Sequence, residues 1–175
     1  MLKPKVLLVF ICLVSLSVFS QCTQQNQSSD VEQTYINIVK TIHAEIVKGN
    51  FDVFDEYLDS NYVRHCQAMP PELQEMHGVE KLKGFVKEFI ESVTNYSDSV
   101  GPIFANNNMV AYVSTMKATN SGSMNGLPPS GNNFTVVNLV MHRFENNKIV
   151  ETWVTWDNVA VLSQLGFFPP PSEKP

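Results

Sequence analysis

Four histidines, His43, His65, His77 and His142, are the side chains best suited to moving a proton near neutral pH. His65 follows the alternating run Asn61–Tyr62–Val63–Arg64 and is the leading candidate for a base beside an apolar pocket. The competing role is a strand-end histidine held by a hydrogen bond. His43 lies within a helical repeat and fits its polar face. His77 precedes Gly78 and fits a solvated loop or a pocket mouth. His142 falls opposite Glu151 if the chain closes a two-residue hairpin between them, which suits a surface or interface pair. Asp157 stands where an alternating stretch, "ETWVTW", gives way to a helical one, "NVAVLSQL". It is placed either to act at a pocket rim or to cap a helix, and the cap is the better fit. These groups do not assemble a metal set, because no compact His/Asp/Glu/Cys spacing occurs. "GLPPSG" offers prolines where a phosphate loop needs amides, and no serine elbow is present. No cofactor and no metal are expected.

The chain that must position these residues has 175 residues, enough for one sizeable core. Its formal net charge is −5, or about −7 once residues 1–21 are removed. No Lys/Arg stripe exists, so nucleic acid is not an expected partner. "MLKPK" followed by "VLLVFICLVSLSVF" reads as a signal peptide over 1–21; the apolar run is short for a membrane span of ~20 residues. Cys22 follows at the position where lipoproteins carry their lipid, and residues 22–29 read as a polar tether. The expected location is a membrane-anchored lipoprotein at the periplasm or cell surface. Cleavage after Ser20, giving a soluble periplasmic or secreted protein, is the alternative. Phe19 and Gln21 depart from the usual lipobox. Cys66 is then alone in the domain, and no disulfide framework is expected.

Apolar residues at helical spacing predict a helix over 30–48, a short one over 51–58 and a third over 79–93. Strands follow over 61–66, 96–105, 109–119, 132–144 and 148–157. A tight turn at Asn146–Asn147 joins the last two. Helices first and then a meander predict an α+β fold, with a curved antiparallel sheet and helices packed on its concave face. In the last hairpin, regular pairing puts Val137, Leu139, Met141, Val150, Thr152, Val154 and Trp156 on one face. Asn138, His142, Phe144, Glu151, Trp153 and Thr155 fall on the other. The first face is the more apolar and is expected to look inward, an assignment that a one-residue slip would reverse.

"NGLPPSG" followed by "HRFENNKIVETWVTWDNVAVLSQLG" resembles the SnoaL-like polyketide cyclase family, within the nuclear transport factor 2-like superfamily. The resemblance rests on Gly126–Gly131, Arg143, Phe144, Lys148–Glu151, Trp153, Asp157 and Leu162–Gly166. Tyr62–His65 and the Gly78-led helix match more loosely. It implies a cone-shaped barrel over 30–168, with a proline-rich tail over 169–175 and frequent dimerisation through the sheet. It also implies a pocket for a small apolar molecule, in which relatives close rings or isomerise substrates without cofactor. The resemblance places a His and an Asp two apart on the last strand. Here those positions are Thr152 and Val154, neither of which can serve as a tunable acid or base.

The expected function is therefore an exported domain that binds a small apolar molecule in a conical pocket. Met141, Leu139, Thr152, Val154, Trp156, Phe85 and Phe89 are the expected lining. A cofactor-independent cyclase or isomerase with His65 as base is one alternative. An interaction or dimerisation module is the other, with a homodimer and membrane attachment at Cys22 as the expected partners.

Overall fold

The computed structural model describes residues 29–124 and 126–169. The signal segment, Cys22, most of the tether and most of the tail lie outside them. Helix α1 spans 29–47. Helix α2 (Val53–Tyr57) leads into strand β1 (Leu58–His65), and a 3-10 turn at Pro71–Leu73 into β2 (Glu75–His77). Then come α3 (Val79–Glu91), β3 (Val93–Asn106), β4 (Met109–Asn120), β5 (Asn133–Glu145), β6 (Lys148–Thr155) and α4 (Asn158–Leu165). No helix among the described residues is long and apolar enough to cross a membrane.

The six strands form one sheet in the order β2-β1-β6-β5-β4-β3. The long strands β3 to β6 are an antiparallel meander, as their alternation predicts. β1 joins it by pairing parallel to β6, which makes the sheet mixed. Alternation along each strand sends one set of side chains inward. On β4 that set is Val110, Tyr112, Ser114, Met116 and Ala118; on β1 it is Tyr62 and Arg64, with Cys66 buried just past the strand's end. The helices cover this concave face. α1 buries Tyr35, Ile38, Val39 and Ile42, and the Tyr35 ring stacks on Phe144 at 4.1 Å. Burying a side chain such as Phe144 stabilises by about 1.5–3 kcal/mol.

The hairpin corrects one sequence expectation. The turn forms as predicted, with Asn146 and Asn147 at φ 50° and 61°. Glu145 pairs with Lys148, and Phe144 with Ile149. A bulge then shifts the register, so that Arg143 pairs with Glu151 and His142 with Thr152. An extra residue in one strand exchanges the faces of everything beyond it. Thr152, Val154 and Trp156 consequently look inward together with Phe134, Val136, Asn138, Val140, His142 and Phe144. Val137, Leu139 and Met141 lie on the outer face, 52%, 57% and 38% exposed.

α4 begins and ends on recognisable caps. Asp157 Oδ1 accepts a hydrogen bond from the Ala160 amide at 2.9 Å. Gly166 closes the helix at φ 83°, where a Cβ would be strained. The long β4–β5 loop is tied by Asn120, which is fully buried. Its amide donates to Gly122 O and its Oδ1 accepts from the Ser130 amide. Met124 and Leu127 of this loop thereby reach the concave face.

Candidate functional site: a conical cavity crossed by a polar belt

Between sheet and helices lies a cavity of about 500 Å3. Ile42 and Ile46 of α1, Leu82, Phe85, Val86 and Phe89 of α3, and Val161, Leu162 and Leu165 of α4 wall it on the helical side. Val136, Val140, Val154 and Trp156 line the sheet side. Such a lining suits an apolar molecule.

Polar groups cross this apolar surface in one connected line. Asp98 of β3 meets His43 of α1, Oδ2 to Nδ1 at 2.5 Å. His43 Nε2 is 2.9 Å from the Tyr112 hydroxyl on β4, which is 2.9 Å from His142 Nε2 on β5. His142 Nδ1 is 2.8 Å from Thr152 Oγ1 on β6. The strands β3, β4, β5 and β6 thus each contribute one member to the belt. An ionised Asp98 orders the hydrogens along it. His43 Nδ1–H donates to the carboxylate, Tyr112 O–H to His43 Nε2, His142 Nε2–H to Tyr112, and Thr152 O–H to His142 Nδ1. Low surrounding dielectric strengthens such a chain and penalises any break in it.

Burial sets the protonation of its members. It pushes His142 down to about 3, so this imidazole is neutral. Burial raises the Tyr112 hydroxyl well above its ordinary value, reinforced by the charge of Asp98 and by Tyr62. Tyr62 is pushed up to about 12 by burial, against the opposing effects of Thr152 and Arg64. Tyr96 also rises through burial, with the Asp98 carboxylate beside it adding to the effect.

Two buried polar atoms have no hydrogen-bond partner among the described residues: Arg64 Nη1 and Asp98 Oδ1. Both residues line the cavity. The Arg64 guanidinium sits 5.4 Å from the centre of the Phe85 ring, a cation–π contact.

The match to known proteins places this architecture. Residues 37–165 match the SnoaL-like polyketide cyclase family. The chain belongs to this family. Among solved structures it is similar to a candidate SnoaL-like polyketide cyclase from Jannaschia sp. CCS1, with TM-score 0.70 and 18% identity, over 79% of this chain and 95% of that one. IdmH from Streptomyces antibioticus, described as a candidate polyketide cyclase, matches with TM-score 0.64 and 25% identity, over 75% and 98% of the two chains. A protein with a ketosteroid isomerase-like fold from Catenulispora acidiphila DSM 44928 matches with TM-score 0.62 and 16% identity, over 74% and 92%. No curated protein matches the chain.

Within this SnoaL-like domain, Thr152, Val154, Trp156, Phe85 and Phe89 line the cavity, whereas Leu139 and Met141 do not. The bulge at Arg143/Phe144 is the reason. His65 also departs from its expected place. Strand parity puts Tyr62 and Arg64 inside and His65 on the convex face, stacked on Trp153 at 5.6 Å. Its Nε2 is 2.9 Å from Glu151 Oε1, and Arg143 holds the other oxygen of that carboxylate at 3.0 Å. His65 therefore has no access to the cavity as a base. His43 and His142, expected on outward faces, are the histidines inside. His77 is exposed beside Glu75, but it ends strand β2, paired with Val63, rather than lying in a loop. Among the described residues, no group of three or more His, Cys, Asp or Glu could hold a metal ion.

Proposed function

We propose that this SnoaL-like domain binds a small, predominantly apolar molecule in the conical cavity, without the acid/base pair of the family pattern. One observation carries the reading. The cavity of about 500 Å3 is open to an occupant, while Thr152 and Val154 stand where the pattern has His and Asp. A threonine already bonded to His142 and a valine have no proton to exchange near neutral pH. A thermal-shift series with apolar ligands tests the reading. Stabilisation by at least one ligand, lost in Val154→Trp, is expected; no stabilisation by any would contradict it.

The polar belt favours a second reading, a cofactor-independent isomerase or cyclase. Asp98 would take the proton through its free Oδ1, with His43 positioning the carboxylate. A reaction whose rate is unchanged in Asp98→Asn would exclude that assignment. The domain also suits a homodimer formed through the convex face, where Val137, Leu139 and Met141 are exposed beside Phe104. Export with a lipid on Cys22 completes the proposal, supported by the charged and apolar segments that precede it. Mass spectrometry of the mature N-terminus tests this; an unmodified N-terminal Gln21 would contradict it.

A further inference from the structure

Arg64 is a buried charge without a counter-charge. It is 7% exposed, its Nη1 is unpartnered, and it forms no ion pair among the described residues. Burying an ionised group is costly unless it is paired and hydrogen-bonded, and a ring face meets only part of that need. The one carboxylate lining the cavity, Asp98, is held by His43 at 2.5 Å. It sits on β3, four strands away from β1, about 19 Å measured along the sheet. Arg64 is thus placed to receive negative charge from something that enters the cavity. Its register adds to the point. Arg64 pairs with Thr152 across the β1–β6 ladder, beside the position where the family pattern has its histidine.

We propose that the molecule bound in this cavity carries a carboxylate on an apolar body, and that Arg64 Nη1 holds it. This rests on the cavity-binding reading above and names the class of ligand. The anion docks at the β1 end against the guanidinium and Phe85. The apolar body lies over Val136, Val140 and Val154. The opposite orientation would bring the anion against Asp98, whose unpartnered Oδ1 calls for a donor such as a ligand hydroxyl. Like charges there exclude it. A hydrogen bond to a charged partner in such a site is worth at least a tenfold preference over a neutral isostere.

The test titrates the protein calorimetrically with two probes of the same apolar body, 2-naphthoate and 2-naphthylmethanol. The expected result is naphthoate binding at least tenfold tighter than the alcohol. Arg64→Met should remove that preference and leave the alcohol's affinity within about twofold. The same variant should melt no lower than the wild type, because a buried unpaired charge has been replaced by an apolar chain. Should Arg64→Met fail to fold, or should its Tm fall with the preference intact, Arg64 is structural and the proposal is overturned. Arg64→Lys, which keeps a charge but not the planar fork, should reduce the preference without reversing it. Equal affinities of the wild type for both probes would overturn the anion site while leaving the cavity reading standing. If neither probe binds, the cavity reading fails first and the ligand class fails with it.

Discussion

Tyr112→Phe removes one oxygen and breaks the belt at its centre. In the wild type that hydroxyl meets His43 Nε2 and His142 Nε2, each at 2.9 Å. Its loss leaves an acceptor on His43 and a donor on His142 without partners. An orphaned buried polar group costs about 1–3 kcal/mol. His142 is 9% exposed and bears most of that penalty. The His43 side chain is 15% exposed, so water from the cavity offsets part of its loss. The expected destabilisation is about 2–4 kcal/mol at pH 7, a fall in Tm on the order of 10 °C for a domain of this size. Urea denaturation followed by circular dichroism measures it as a shift in midpoint at unchanged m. Adding His142→Leu to Tyr112→Phe should cost less than the two single effects together, by about 1 kcal/mol or more. A loss below about 1 kcal/mol for Tyr112→Phe, or strict additivity in the double variant, would refute the reasoning that these groups form one connected chain.

Further outcomes follow from the same geometry. His142 is neutral in the fold, with its pKa pushed down to about 3, whereas an unfolded histidine titrates near 6.5. Above about pH 6.5 it contributes no pH dependence. Between about pH 6.5 and 3 the unfolded chain binds the proton more readily, so stability falls as pH falls, by up to about 1.4 kcal/mol per pH unit. Denaturation curves over that range should show this slope in the wild type and lose it in His142→Leu. Asp157 caps α4 through Ala160 N. Asp157→Asn should therefore be nearly neutral and Asp157→Ala should cost about 1 kcal/mol, read from the same denaturation curves. Leu139→Glu and Phe104→Glu place charge on the convex face. Sedimentation equilibrium should find these variants monomeric and the wild type dimeric; an unchanged mass would exclude that face as the interface.

The fold was largely legible because its signals are local. The apolar spacing of α3, the Asn146–Asn147 turn, and the Asp157 and Gly166 caps each show in a few consecutive residues. Thr152, Val154 and Trp156 face the cavity as the apolar character of their face suggests. Two things were not legible. One was the bulge at Arg143/Phe144, which leaves no mark in the hydrophobic pattern yet moves Leu139 and Met141 outside and His142 inside. A hint lies in residues 134–144: Phe134, Val136, Val140 and Phe144 alternate as an apolar set interrupted only by Asn138 and His142. The other was the belt, whose members come from four strands and a helix. Asp98 and His43 are 55 residues apart and meet only because α1 crosses the concave side of β3. Arg64 and His65 show the limit most plainly. Their alternation along β1 was readable, but which of the two entered the cavity depended on β1 pairing parallel to β6.

The central claim is that a small apolar molecule occupies the space between sheet and helices. Amide and methyl chemical shifts recorded while 2-naphthoate is added to the isotope-labelled protein test it most directly. The account predicts saturable shifts at Val136, Val140, Val154 and Trp156, with Leu139, Met141 and Phe104 unmoved. Shifts confined to the convex-face residues, or none at all, would contradict it.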